Sequence, residues 1–240
     1  MRAAWLDEIA GFSAALVNVD IEVFLDKPGE GRDPTPGRTL ALYCVRELER
    51  VVDRDGLLRA PASEEPPYWA LPWIGARAIA AYVLSHPIPS GSRVLDLGCG
   101  LGLSGIAAGL GGSKVVFADS VDEALAFARA NAGFHRIARY ETRTLDFTRD
   151  RLGTAFDLIL AADIVYDPAA YGALVDFLDV HLAAHGAILL TESLRADARH
   201  VIDQLAERGI EGRKDAIWVY EDGRPERTWL HVLGRITPRA

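Results

Sequence analysis

From Arg93 onward, apolar runs of strand length recur between segments whose apolar residues fall at helical spacing. RVLDLG, KVVFAD, TRTLDF and FDLILAAD read as strands, and residues 103–110 and 122–132 read as helices between them. A helix around 171–184, the strand AILLTES and a helix over 196–208, closed by Gly209, continue the alternation. Such a succession builds βαβ units around a parallel sheet. The chain ends differently: DAIWVYED and RTWLHVLGRI are separated only by DGRPE, where Asp222-Gly223 signals a turn, so they predict an antiparallel hairpin.

Upstream the pattern changes. VDIEVFLD sets Val19, Ile21, Val23 and Leu25 against Asp20 and Glu22, which predicts a half-buried strand. KPGEGRDPTPG breaks the chain, and TLALYCVRELERVVDRDG then spaces Leu42, Val45, Leu48 and Val52 as one face of a helix ending before Gly56. LRAPASEEPPYWALPW, dense in Pro and aromatic residues, separates this layer from a helical pattern over 77–84. A boundary near Ala60 divides the chain into a small N-terminal α+β extension, 1–60, and a larger α/β domain, 61–240.

Composition narrows the classes. The 240 residues, 50% hydrophobic and 25% charged, suit a globular chain with a sizeable core. No apolar run approaches the ~20 residues that cross a bilayer, and MRAAWLDEIAG lacks a basic, apolar leader, so no membrane partner and a cytoplasmic location are expected. A net charge of -8 speaks against a nucleic-acid partner. Cys44 and Cys99 stand alone in apolar settings and read as reduced packing residues. His181 and His185 have the spacing of a metal pair on a helix, but without a third ligand a helix end closed by Gly186 accounts for them, and no metal is expected.

VLDLGCGLGLSG, Val94 to Gly105, is where the chemistry concentrates. Gly98, Gly100 and Gly102 allow positive φ and close approach of a ligand to the backbone. Read from Gly100, the loop is the G-x-G-x-x-G of dinucleotide sites; read from Asp96, it is D-x-G-x-G-x-G, the pattern that suggests S-adenosylmethionine. Asp96 tips the balance, since a carboxylate under a pyrophosphate repels it but attracts an ammonium and a sulfonium. Asp119 ends the next strand, where it can accept hydrogen bonds from ribose hydroxyls or cap the following helix with Ser120. Asp146 and Phe147 end the third: either an acceptor for an adenine amino group with an aromatic cover, or a surface acid beside a core ring.

In FDLILAADIVYDP an apolar strand ends at Asp163, with Tyr166 three residues on. Asp163 can orient an amine and Tyr166 can wall its channel; equally, the acid can cap a turn and the ring can pack on a helix. G-x-S-x-G is absent, and Ser104 reads as a residue lining or capping the first helix after the loop.

PPYWALPWIGARAIAAYVLSHP ahead of VLDLGCGLG, with DIVY downstream, resembles the class I, seven-β-strand S-adenosylmethionine-dependent methyltransferases. Within them it is similar to the family 16 protein lysine methyltransferases, most of all the branch acting on the electron-transfer flavoprotein β subunit, also labelled predicted nicotinamide N-methylases. The resemblance covers most of the chain from about Pro66. It implies a Rossmann-like, doubly wound, mostly parallel sheet of seven strands with the last hairpin antiparallel. It places S-adenosylmethionine in the Asp96–Gly102 loop and ribose on Asp119, with Trp73, Ser120 and Ala162 lining the cofactor. Asp163-x-x-Tyr166 is then the acid-x-x-aromatic motif beside the acceptor nitrogen. Gly75-Ala76 departs from the Gly-Gly pair common in the bacterial branch, and Asp167 from the Glu common after the Tyr. The expected activity is N-methylation of a protein lysine, with a small heteroaromatic or amine substrate second. An NAD(P)-dependent oxidoreductase and a non-catalytic binding module are the readings from other classes.

Overall fold

A computed structural model of the chain describes residues 13–25, 27, 38–46, 67–192, 198–221 and 223–235. The main sheet is built from β4 (Arg93–Leu97), β5 (Lys114–Asp119), β6 (Tyr140–Thr144), β7 (Phe156–Ala161), β8 (Leu182–Thr191), β9 (Ile210–Glu221) and β10 (Arg224–Arg235). Its spatial order is β9-β10-β8-β7-β4-β5-β6, and β6 through β8 run parallel. β10 inserts antiparallel between β8 and β9. From β4 the chain moves outward through β5 to β6 and returns to β7 on the other side of β4. That reversal leaves a crevice at the carboxyl ends of β4 and β7, the usual ligand position in open α/β sheets.

Both faces of the sheet are covered, which is why β7 reads FDLILA with hardly a polar residue. Helices α1 (Ile74–Ser85), α2 (Leu103–Leu110) and α3 (Asp122–Phe134) bury Ile79, Ile106 and Phe127 against Val94, Phe117, Leu158 and Leu160. On the opposite face α4 (Tyr171–His181) and α5 (Arg199–Glu207) bury Leu174, Phe177, Val201 and Leu205 against Leu95, Leu97, Ile159 and Leu190. Among the described residues no helix is long and apolar enough to cross a membrane.

The N-terminal region departs most from the pattern-based expectation. The run VDIEVFLD serves two sheets: β1 (Ala14–Asp20) pairs with β3 (Thr39–Val45), and β2 (Val23–Phe24) adds an eighth strand to the main sheet, beside β9. The break falls where the Asp20 carboxylate accepts the Glu22 amide. The helix expected from Thr39 is instead strand β3 as far as Val45. Leu42 and Cys44 are its buried residues, a period of two, and pairing with β1 overrides the helical spacing of Leu42 and Val45. The remainder of that expected helix and the boundary at Ala60 lie outside the described residues.

Two buried polar residues fasten this layer. Asn131 of α3 receives the Tyr43 amide at 2.6 Å and donates to the Tyr43 and Leu101 carbonyls at 3.1 and 2.9 Å. Arg77 of α1, 5% exposed, reaches the Asp20 and Tyr220 carbonyls and the Glu221 carboxylate. At the far side of the sheet, the helix expected through Ala184 ends at His181, because Leu182 already pairs with Phe156 as the start of β8. His181 is buried; its Nε2 accepts the Leu152 amide at 2.8 Å and its Nδ1 lies 2.7 Å from the Phe177 carbonyl. His185 falls in β8, so the pair does not share a helix face, and among the described residues no His, Cys, Asp and Glu cluster suits a metal.

Removing the Asn131 amide leaves three backbone groups without their partner. Asn131→Ala is expected to cost about 2–4 kcal/mol and to lower the thermal midpoint by roughly 5–10 °C, read by calorimetry.

Candidate active site

The glycine loop follows β4 and turns into α2. Gly98, Gly100 and Gly102 all have positive φ, +64°, +50° and +82°. A β-carbon would also collide: at Gly98 with the Ile164 side chain (2.7 Å) and at Gly100 with the Trp69 carbonyl (2.9 Å). Two carboxylates hold the turn. Asp96, 2% exposed, accepts the Gly105 amide at 2.8 Å, and Asp119 accepts the Gly100 amide at 2.9 Å and the Val121 amide at 3.1 Å. The amides of Cys99 and Gly102 donate to the Ala118 and Cys99 carbonyls. A phosphate-binding loop presents its amides outward to an anion. Here four of them are turned inward, two onto acidic side chains, which disfavours a dinucleotide and leaves an acidic floor.

Burial raises both acids under the loop. Burial pushes the Asp96 carboxyl up to about 8, against the pull of the Gly105 amide and with a further push from Asp119. Burial also raises Asp119, opposed by the amides of Gly100, Val121 and Ser120. Ser120 itself is exposed, at the head of the segment leading to α3. Asp146 and Phe147 come beyond β6, beside the end of β5, where the Leu145 amide donates to the Asp119 carbonyl. The Asp146 carboxylate accepts the hydroxyl and amide of Thr148 and meets Arg149 at 3.2 Å; Thr148 is the chief cause of its lowered pKa. Phe147 packs against the α4-side core, its ring edge-on to Phe177.

One strand over, Leu97 pairs with Ala161, so the glycine loop and ADIVY leave the sheet side by side. Ala162 packs into the core under α1, α2 and α3. Asp163 is next, with φ +53°, in the left-handed region that disfavours a β-carbon. Its carboxylate docks on the N-terminus of α1, accepting the Gly75 amide at 3.0 Å, while its own amide donates to Thr191 at the end of β8. Burial raises its carboxyl to about 6, with the Gly75 amide and the Thr191 hydroxyl pulling it down. Tyr166 is exposed (54%), beyond the buried Val165.

Trp73 is the residue before α1, and its indole N–H donates to the Tyr68 carbonyl at 2.7 Å. The Tyr68–Ala70 turn lies directly on the loop, with Trp69 touching the Gly100 position through its backbone and Phe127 through its ring. Ser104 is buried and its hydroxyl reaches the Ala76 carbonyl of α1 at 3.4 Å. Sequence reading missed Trp69, Gly75 and Thr191 as parts of this corner. Gly75 and Thr191 are 88 and 28 positions from Asp163, and no local pattern announces such contacts.

The fold has solved counterparts among α/β methyltransferases. The N-methyltransferase NodS of Bradyrhizobium japonicum WM9, in complex with S-adenosyl-L-homocysteine, aligns with a TM-score of 0.58 at 19% identity over 79% of this chain and 97% of that one. A family model described as lysine methyltransferase matches residues 73–207, more than half of the chain, and the chain belongs to that family. It is similar to the electron transfer flavoprotein beta subunit lysine methyltransferases of Danio rerio and Xenopus laevis. Identities are 37% over 126 and 35% over 130 residues, covering 52% of this chain in each case and 48% and 51% of those proteins. The chain thus spans about half the length of the curated relatives it matches.

An acid whose folded pKa exceeds its unfolded one keeps its proton more tightly when folded. The stability tied to Asp96 is therefore complete below about pH 4 and lost as pH rises through about 8. Asp96→Asn should flatten the decline in thermal midpoint between about pH 5 and 8, measured by unfolding scans across buffers.

Proposed function

We propose that the chain is an S-adenosylmethionine-dependent N-methyltransferase acting on a lysine side chain of a protein. The observation that carries the reading is the pairing of β4 with β7, which sets the carboxylate-floored glycine loop beside the half-buried acid Asp163. The residues fit the cofactor. Gly98, Gly100 and Gly102 leave backbone where a side chain would stand, Asp119 has lone pairs left for ribose hydroxyls, and a cation above Asp96 would favour the ionised form of that raised carboxyl and be attracted by it. When bound, S-adenosylmethionine supplies a methyl group activated by its sulfonium.

The chain's own task is to hold a neutral amine in line with that methyl and to keep water away. In this reading Asp163, held by Gly75 and Thr191, accepts an N–H of the acceptor and so directs its lone pair. Tyr166, on the exposed segment that follows, is placed to meet a substrate arriving from solution. The family and the protein-directed names of its relatives, including the histidine protein methyltransferase 1 homolog of Dictyostelium discoideum, support a protein acceptor.

Titration calorimetry should show binding of S-adenosylhomocysteine and none of NAD; the reverse would sink the proposal. Incubation of labelled S-adenosylmethionine with a lysate of the source organism should label protein, whereas label confined to metabolites would give the small-amine reading instead. The pair Asp163→Asn and Tyr166→Phe should cut methyl transfer by at least about 100-fold while S-adenosylhomocysteine still binds.

A further inference from the structure

A hydroxyl offers one proton and two lone pairs, and Thr191 uses them on a single partner. Its Oγ1 accepts the Asp163 amide at 3.1 Å and lies 3.5 Å from Asp163 Oδ1, to which it donates. The other carboxylate oxygen, Oδ2, takes the Gly75 amide. Residue 163 is thus gripped at its backbone and at both oxygens while it sits in the left-handed region, a conformation that persists only where surroundings over-determine it. Gly75 completes the grip by having no side chain: a β-carbon there would lie 2.2 Å from Thr191 Oγ1 and 2.4 Å from Asp163 Oδ2.

We infer that Thr191 is a positioning residue for the transfer reaction: its hydroxyl fixes the orientation and the charge of Asp163, with Gly75 closing the clasp from α1. The inference rests on the reading of Asp163 as the acid beside the acceptor, but the clasp itself is testable without any acceptor. The neighbouring charges have other commitments. Arg77 of α1 is engaged by Asp20 and Glu221, and Glu192, which follows β8, by Lys214 at 2.6 Å and His231 at 2.7 Å. On Asp163's own segment the titratable groups are Tyr166 and Asp167, and the Asp167 carboxylate caps the Ala169 amide. Thr191 is then the side chain whose loss should move the Asp163 titration.

The test compares wild type, Thr191→Val and Thr191→Ser in the whole chain by carbon-13 NMR of labelled Asp carboxyls, assigned through Asp163→Asn. The midpoint near 6 in wild type should rise by about half to one pH unit in Thr191→Val and return in Thr191→Ser. The acidic limb of methyl incorporation into lysate protein should move with it, and S-adenosylhomocysteine affinity should stay unchanged. A midpoint that does not move in Thr191→Val overturns the inference even if activity falls, since Thr191 would then be a packing residue only. Should Thr191→Val not fold, Thr191→Ala removes the same hydroxyl and is judged by the same midpoint. If wild type transfers no methyl at all, the proposed function fails, while the titration still decides whether the clasp exists.

Discussion

Through the bond from the Gly105 amide to Asp96 and that from the Gly100 amide to Asp119, two strand ends reach under the glycine loop and hold both of its shoulders. Everything else at this corner depends on that grip. The loop's positive φ angles cost little because the residues are glycines, but a chain of glycines has the most freedom to lose on folding. The two carboxylates supply the ordering, and they do so buried. Asp96 consequently carries a carboxyl that burial pushes far above the ordinary range.

The corner at Asp163 follows the same logic with parts from three elements. Asp163 leaves β7, the Gly75 amide opens α1 and Thr191 ends β8, and strand order alone brings them together. The N-terminal strands, though remote in sequence, are tied to the same elements. Asn131 links β3 to the Leu101 carbonyl inside the glycine loop, and Arg77 links α1 to Asp20 and the end of β9. The accessory layer therefore braces both the glycine loop and the helix whose Gly75 amide holds Asp163.

Much of the main sheet was legible because its central strands β4, β7 and β8 carry apolar runs buried on both faces, while α3 and α4 alternate buried and exposed positions at helical spacing. The helix 103–110 is legible to the residue, since the left-handed glycines end at Gly102 and a double glycine, Gly111-Gly112, follows it. TLALYCV was misread because Leu42 and Val45 satisfy a helical spacing as well as Leu42 and Cys44 satisfy a strand's; the partner β1 decided between them. VDIEVFLD read as one strand because alternation continues through a break that the Asp20 carboxylate makes. At the site, Gly98, Gly100, Gly102, Asp96 and Asp119 announce themselves by density and by position at strand ends. Phe147 carries no mark that separates a base cover from a core ring, and its place against Phe177 depends on α4.

By itself the sequence determined the order of elements from Arg93 onward, the glycine loop and the acids that follow the strands beside it, because these are local: residue type, spacing and punctuation act within a few positions. Only the tertiary structure decided that Asp163 lands on the amide of Gly75, that Thr191 closes on it, and that Asp96 and Asp119 spend their oxygens on the loop rather than pointing freely into solvent. Those outcomes are hydrogen bonds between segments far apart in the chain. Their partners are chosen by the order in which strands assemble, which no window of sequence contains.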